Sequence, residues 1–138
     1  MKDSLSINWK KGMAFEADVD GFKLMIDAKT EHGGTGMGPR PKPLMMAALG
    51  GCTAMDVVSI LNKMRVELED LQVHIEGELT EEHPRQFTKM HIIYEFTGKE
   101  LSKDKLEKAI NLSQERYCGV SASYRKAMEL SHEIVIKN

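Results

Sequence analysis

The 138-residue sequence predicts an α+β fold in one domain spanning residues 1–138. Three observations carry this expectation. The first 26 residues alternate apolar and polar side chains in three short runs. Pro43 to Arg65 (PLMMAALGGCTAMDVVSILNKMR) is one long apolar stretch. Beyond it come two more alternating runs, an amphipathic segment and a last alternating run.

The elements follow in order. Leu5, Ile7 and Trp9 alternate with Ser4, Ser6, Asn8 and Lys10, the pattern of a half-buried strand. After a turn at Lys11-Gly12, Met13, Phe15, Ala17 and Val19 form a second strand. Asp20-Gly21 is a hairpin turn signal, and Phe22, Leu24 and Ile26 continue as a third strand. The expectation is a three-stranded antiparallel meander. Residues 31–43 (EHGGTGMGPRPKP) are rich in glycine and proline and predict an irregular loop, a lid or the wall of a pocket. GGTGMG lacks the Lys-Ser/Thr that a phosphate cradle requires.

Pro43 to Arg65 is rich in Leu, Met and Ala and long enough for about six helical turns. Pro43 suits the first turn, where no N–H is needed. The first charged residue is Asp56, so the helix is apolar around most of its circumference and must be buried on nearly all sides. One small domain does not supply that cover, which predicts a partner subunit. Trp9, Met45, Met46, Met55 and Met64 are expected as core filler. Asp56 is expected in a structural ion pair with Arg65 or with a residue of the second subunit.

Leu71, Val73, Ile75 and Leu79 then mark a strand with one wet face. The loop Glu81-Glu82-His83-Pro84 follows, and Phe87 to Phe96 is the next strand. Ser102 is the expected N-cap of a helix reaching about Tyr117, with Leu106, Ala109, Ile110 and Ser113 inward. Cys118-Gly119-Val120-Ser121 opens a short helical or turn segment. Met128, Leu130, Ile134 and Ile136 lie on the closing strand.

The net charge of −2, with both signs interspersed, argues against nucleic acid as a partner. The opening MKDSLSINWKK has no apolar core of a signal peptide, so a cytoplasmic protein with reduced thiols is expected. The central run reaches membrane-spanning length, but Asp56, Gly50-Gly51 and several hydroxyls interrupt it, and no membrane is expected as a partner. His32, His74, His83, His91 and His132 make no metal-ligand spacing with a cysteine, and there is no CxxC; no metal or cofactor is expected.

The chemistry rests with two cysteines, Cys52 and Cys118, 66 positions apart. A free cysteine commonly serves as a small buried hydrophobe. Cys52, however, follows Gly50-Gly51, which permit close approach of a backbone or a small substrate. A nucleophilic cysteine must be a thiolate, and burial opposes ionisation. The helix dipole acts within the first turn, nine residues before Cys52, unless the helix breaks at the glycine pair. A cation is therefore required. Arg40 is the only arginine before Cys52, and Lys42 is the next nearest cation.

PKPLMMAALGGCTAMDVVSILNKMR resembles the central helix of the osmotically inducible protein C and organic hydroperoxide resistance (OsmC/Ohr) family. Cys118-Gly119-Val120-Ser121 resembles that family's second cysteine motif, and the order of elements agrees across essentially the whole chain. The helix wording is most similar to the broad OsmC-like branch. The resemblance implies an intertwined homodimer with the two central helices back to back. It also implies a metal-free thiol peroxidase acting on organic hydroperoxides, with Cys52 peroxidatic, Cys118 resolving, Arg40 a candidate for the thiolate-facing cation, and an external dithiol as reductant. The sequence departs from the pattern in two respects. Lys42 and Pro43 stand where the family's peroxidases place a glutamate, and Gly119 stands where many have proline. The alternative is an OsmC-like dimer that binds a small apolar or thiol-reactive molecule with little or no turnover; the missing glutamate favours it, and the cysteine pair favours the enzyme.

Overall fold

Six strands and three helices follow one another in a computed structural model that describes all residues, Met1–Asn138, in the expected α+β order. The chain divides into two compact units, Met1–Met45 and Met46–Asn138.

In the first unit, β1 (Ser6–Lys11), β2 (Ala14–Val19) and β3 (Phe22–Ile26) form the predicted antiparallel meander in the order β1-β2-β3. Asp20 and Gly21 connect Val19 to its partner Phe22, both at positive φ (50° and 82°), so the hairpin closes in two residues. The sheet buries Ala14 and Ala17, whereas Leu5, Ile7, Phe22 and Leu24 are exposed. Trp9 corrects the expectation of core filler: it is 67% exposed, and its indole N–H donates to the Gly12 carbonyl at 2.8 Å.

The glycine-rich loop is organised by one residue that its composition does not single out. Asp27, only 2% exposed, accepts backbone N–H groups from Ala28 (2.8 Å), Thr35 (3.0 Å) and Met37 (3.0 Å). Its own N–H donates to the Pro39 carbonyl at 3.0 Å. Two glycines allow the loop to close this tightly. A Cβ on Gly34 would lie 1.7 Å from the Ala28 carbonyl oxygen, and one on Gly38 2.2 Å from that of Met25.

Helix α1 (Pro41–Lys63) starts two residues earlier than expected, with both Pro41 and Pro43 in its first turn. It runs unbroken through Gly50-Gly51. In the second unit α1 meets a sheet of β4 (Asp70–Leu79), β5 (Phe87–Thr97) and β6 (Glu129–Lys137), with β5 in the centre. β4 is antiparallel to β5, and β6 is parallel to it. A parallel neighbour needs a crossover, and the chain between β5 and β6 supplies it as α2 (Lys103–Leu112), one π-helical turn (Ser113–Tyr117) and α3 (Gly119–Arg125). Ser102 caps α2 as expected, its hydroxyl accepting the Lys105 N–H.

The core of this unit joins one face of β5 (Met90, Ile92, Tyr94, Phe96) to Leu49, Val57 and Leu61 of α1 and to Leu106, Ala109 and Ile110 of α2. The inner face of α1 is the four-residue stripe Leu49, Thr53, Val57, Leu61. One chain leaves the rest of α1 uncovered, as expected of a helix that a single small domain cannot enclose. Within one chain only this stripe is buried; Val58 is exposed, and Met55, expected as filler, is 75% exposed. A groove of about 610 Å³, lined by Ala54, Met55, Val58, Ser59, Asn62 and Leu71, among others, runs along the open face. By length and hydropathy α1 could cross a membrane; in this fold its inner stripe packs on the sheet of the second unit.

Candidate active site

Cys52 sits on α1 one residue before the buried stripe position Thr53, so its sulfur is packed against the core yet half-buried. Gly50 lies against β4: a Cβ there would be 3.4 Å from Ile75, whereas one on Gly51 would meet open space. Cys118 is buried at the end of the π-helical turn. Its N–H donates to the Ser113 carbonyl at 2.7 Å, and its sulfur caps α3 by accepting the Ser121 N–H at 3.3 Å.

These placements bring the two cysteines together. The Cys52 and Cys118 sulfurs and a carboxylate oxygen of Asp56 all lie within 4.8 Å of one another. Burial pushes the Cys52 thiol up from the ordinary range, and the hydrogen bond to Cys118 and the negative charge of Asp56 push the same way; the Val120 N–H opposes them. Within one chain no arginine or lysine is among the groups that chiefly move the Cys52 thiol. Because α1 is unbroken, Cys52 has no helix start of its own. Arg40, the third residue singled out by sequence, belongs to the first unit, directly before α1, and forms no ion pair. As a metal set the three side chains fall short of the four donors of a closed structural zinc site, and no histidine joins them.

Asp56 does not make the expected ion pair with Arg65. It pairs with no arginine or lysine; it accepts the Ser113 hydroxyl at 2.9 Å. Ser113 continues into a buried polar row. Its Oγ is 2.8 Å from Thr53 Oγ1, which is 2.6 Å from the Tyr94 hydroxyl. Gln114 Nε2 donates to both Thr53 Oγ1 (3.1 Å) and Tyr94 (3.2 Å). Burial pushes the Tyr94 phenol up to about 12, so it stays a neutral donor. A hydroxyl has one hydrogen to give. Ser113 gives its hydrogen to Asp56, so Thr53 must give to Ser113, and Tyr94 to Thr53. Every hydrogen in the row points toward the carboxylate. Sequence reading placed Ser113 on the inner stripe of α2 and Asp56 one turn after Cys52, but missed the row, because hydroxyls drawn from α1, β5 and the π-helical turn leave no periodic signal.

The profile of the OsmC-like protein family matches residues 33–133. Protein YhfA of Escherichia coli K12 is 34% identical over 127 residues, which cover 91% of this chain and 92% of YhfA. The crystal structure of a hypothetical protein from Aquifex aeolicus VF5 is 26% identical, covers 100% of this chain and 99% of its own, and superimposes with a TM-score of 0.85. The organic hydroperoxide resistance protein OhrB of Bacillus subtilis is 16% identical over 99% of this chain and 98% of its own, with a TM-score of 0.65; that likeness is one of fold alone.

Proposed function

The chain belongs to the OsmC-like family, and from that premise we propose that it reduces organic hydroperoxides by a two-cysteine mechanism. The observation that carries the reading is the approach of two free thiols, one on α1 and one at the end of the π-helical turn, to within 4.8 Å. A disulfide bond is about 2 Å long, so no more than about 3 Å of closure separates the pair from bonding. In the proposed cycle the Cys52 sulfur attacks the distal peroxide oxygen, the O–O bond breaks, and an alcohol leaves. Cys52 becomes a sulfenic acid. Cys118 attacks that sulfur, expelling water and forming the disulfide. An external dithiol restores both thiols by exchange. Arg40 is the candidate for the cation that meets the negative charge developing on sulfur and on the departing oxygen as Cys52 attacks, and the apolar surroundings of Cys52 favour alkyl peroxides over hydrogen peroxide. The protein acts in the cytoplasm, where a dithiol pool is maintained.

The proposed assembly is a homodimer, supported by the uncovered apolar face of α1 around Met55 and Val58. One OsmC-like domain over residues 1–138 is the unit that pairs.

A second reading is favoured by one observation. Burial raises the Cys52 thiol, which suits a dimer that binds small apolar or thiol-reactive molecules with little turnover.

Thiol titration before and after one equivalent of cumene hydroperoxide tests the two. Rapid loss of both thiols in the wild type, absent in Cys52→Ser, is expected. Cys118→Ser should lose one thiol and retain a sulfenic acid. Loss of thiols at the rate of a simple free thiol would rule out the peroxidase and leave the binding protein.

A further inference from the structure

We propose that Asp56 is the proton acceptor for both cysteines, taking the proton from whichever thiol attacks and handing it to the group that leaves. The proposal deepens the redox reading of the Cys52–Cys118 pair and rests on it for its role in turnover. Its geometry stands independently.

Three observations support it. An Asp56 oxygen lies within 4.8 Å of both sulfurs, so one carboxylate can serve two successive attacks. The row Tyr94, Thr53, Ser113 delivers a hydrogen to Asp56 and none away from it, which holds the side chain as an acceptor in one orientation. No lysine or arginine is paired with Asp56, so its remaining lone pairs are not committed to a cation. Burial keeps the proton on the Cys52 thiol, so it must be removed as attack occurs, and the Asp56 carboxylate lies beside both sulfurs, with at most a small approach or one bridging water needed for the transfer.

The steps balance. In the first, the Cys52 thiol proton passes to Asp56 as sulfur bonds to the distal peroxide oxygen. The O–O bond breaks, and the departing alkoxide takes the proton back as alcohol. In the second, the Cys118 proton passes to Asp56 as its sulfur bonds to the Cys52 sulfur. The S–O bond of the sulfenic acid breaks, and hydroxide leaves with that proton as water. Asp56 ends each step as a carboxylate. The ionisable groups facing it are Cys52 and Lys63 on α1, Cys118 and Tyr117 around the π-helical turn, and Tyr94 on β5; Lys63 and Tyr117 line with it an opening of about 250 Å³.

The test compares wild type with Asp56→Asn, which keeps an acceptor oxygen for Ser113 and the side-chain volume. Two reactions are followed across a range of pH. One is thiol loss with cumene hydroperoxide. The other needs no peroxide: methyl methanethiosulfonate caps Cys52 as a methyl disulfide, and Cys118 displaces methanethiol, followed by mass. A base of this kind contributes about 10²–10⁴-fold, so Asp56→Asn is expected to slow both reactions at neutral pH by about 100-fold or more. The deficit should shrink at alkaline pH, where thiolates form without help. If Asp56 acts only as a negative charge that suppresses thiolates, the substitution will accelerate both reactions, and the proposal is overturned. An unchanged rate overturns it equally. If wild type ignores the peroxide, the peroxidase reading fails, and the displacement of methanethiol still decides the role of Asp56.

Discussion

Ser113 and Asp56 stand 57 positions apart in the chain and are joined by a 2.9 Å hydrogen bond. One comes from the turn that follows α2, the other from α1. Their junction depends on Thr53, which sits 0% exposed in the row and touches Ser113, Tyr94 and Gln114. Replacing Thr53 by valine keeps the shape but leaves the buried Tyr94 hydroxyl hydrogen without its acceptor, while Ser113 keeps Asp56 and Gln114 keeps Tyr94. A stranded buried group costs about 1–3 kcal/mol, and Thr53→Val is expected to lower stability by that much in urea unfolding. Thr53→Ser, which retains the hydroxyl, should recover most of the loss.

The Cys52 thiol predicts its own reactivity. Burial raises it above the ordinary thiol range, with Cys118 and Asp56 adding to the shift. A group so raised holds its proton to higher pH than a free cysteine does. Alkylation by iodoacetamide expels iodide, which needs no proton, so its rate tracks the thiolate fraction alone. Cys52 should therefore be alkylated more slowly than a small free thiol at neutral pH, with the rate climbing into the alkaline range. Asp56→Asn removes one of the raising charges and should speed alkylation while it slows the base-dependent reactions.

The α1 face left open by one chain predicts association. Wild-type protein is expected to be a dimer by light scattering. Met55→Glu places a charge in the centre of the uncovered groove and should shift the population to monomer. Because Met55 is exposed in the single chain, the circular dichroism spectrum should be retained. A monomeric wild type would refute the assembly.

Asp27 predicts an acid-sensitive loop. The Met37, Thr35 and Ala28 N–H groups hold its carboxyl below the ordinary carboxylate range. A carboxylate lowered in the folded state stabilises above its unfolded pKa, and that contribution is lost as pH falls through the lowered value. The loop should thus keep its native amide shifts at Thr35 and Met37 from neutral pH down past the usual carboxylate range and lose them only below it. In Asp27→Asn these shifts should be altered at all pH values and show no acid transition.

Much of this architecture is legible in the sequence because periodicity is a local signal. The alternation of Met90, Ile92, Tyr94 and Phe96 names the inner face of β5, and Asp20-Gly21 names the turn between β2 and β3. The pairing of Cys52 with Cys118 is readable only through the family resemblance, since separation along the chain says nothing of distance in space. Three features resist sequence reading for physical reasons. The parallel pairing of β5 with β6 depends on a crossover whose return point no local pattern encodes. Asp27 sits at the end of an alternating strand, and its role appears only once the loop folds back on it. Met55 and Trp9 are apolar and exposed in one chain, and hydrophobicity alone does not say which apolar groups a given chain can cover.

The single orientation of the hydroxyl row makes Tyr94 a distant gauge of Asp56. While the carboxylate is bare, Ser113 must face it, and the phenol must face Thr53. Once Asp56 carries a proton it can donate to Ser113, and the whole file of hydrogens is free to reverse, leaving the phenol to turn its own hydrogen elsewhere. An ionisation beside the sulfurs would then be readable as a change in the vibrational or ultraviolet signature of a tyrosine on the central strand, without any label at the reacting atoms.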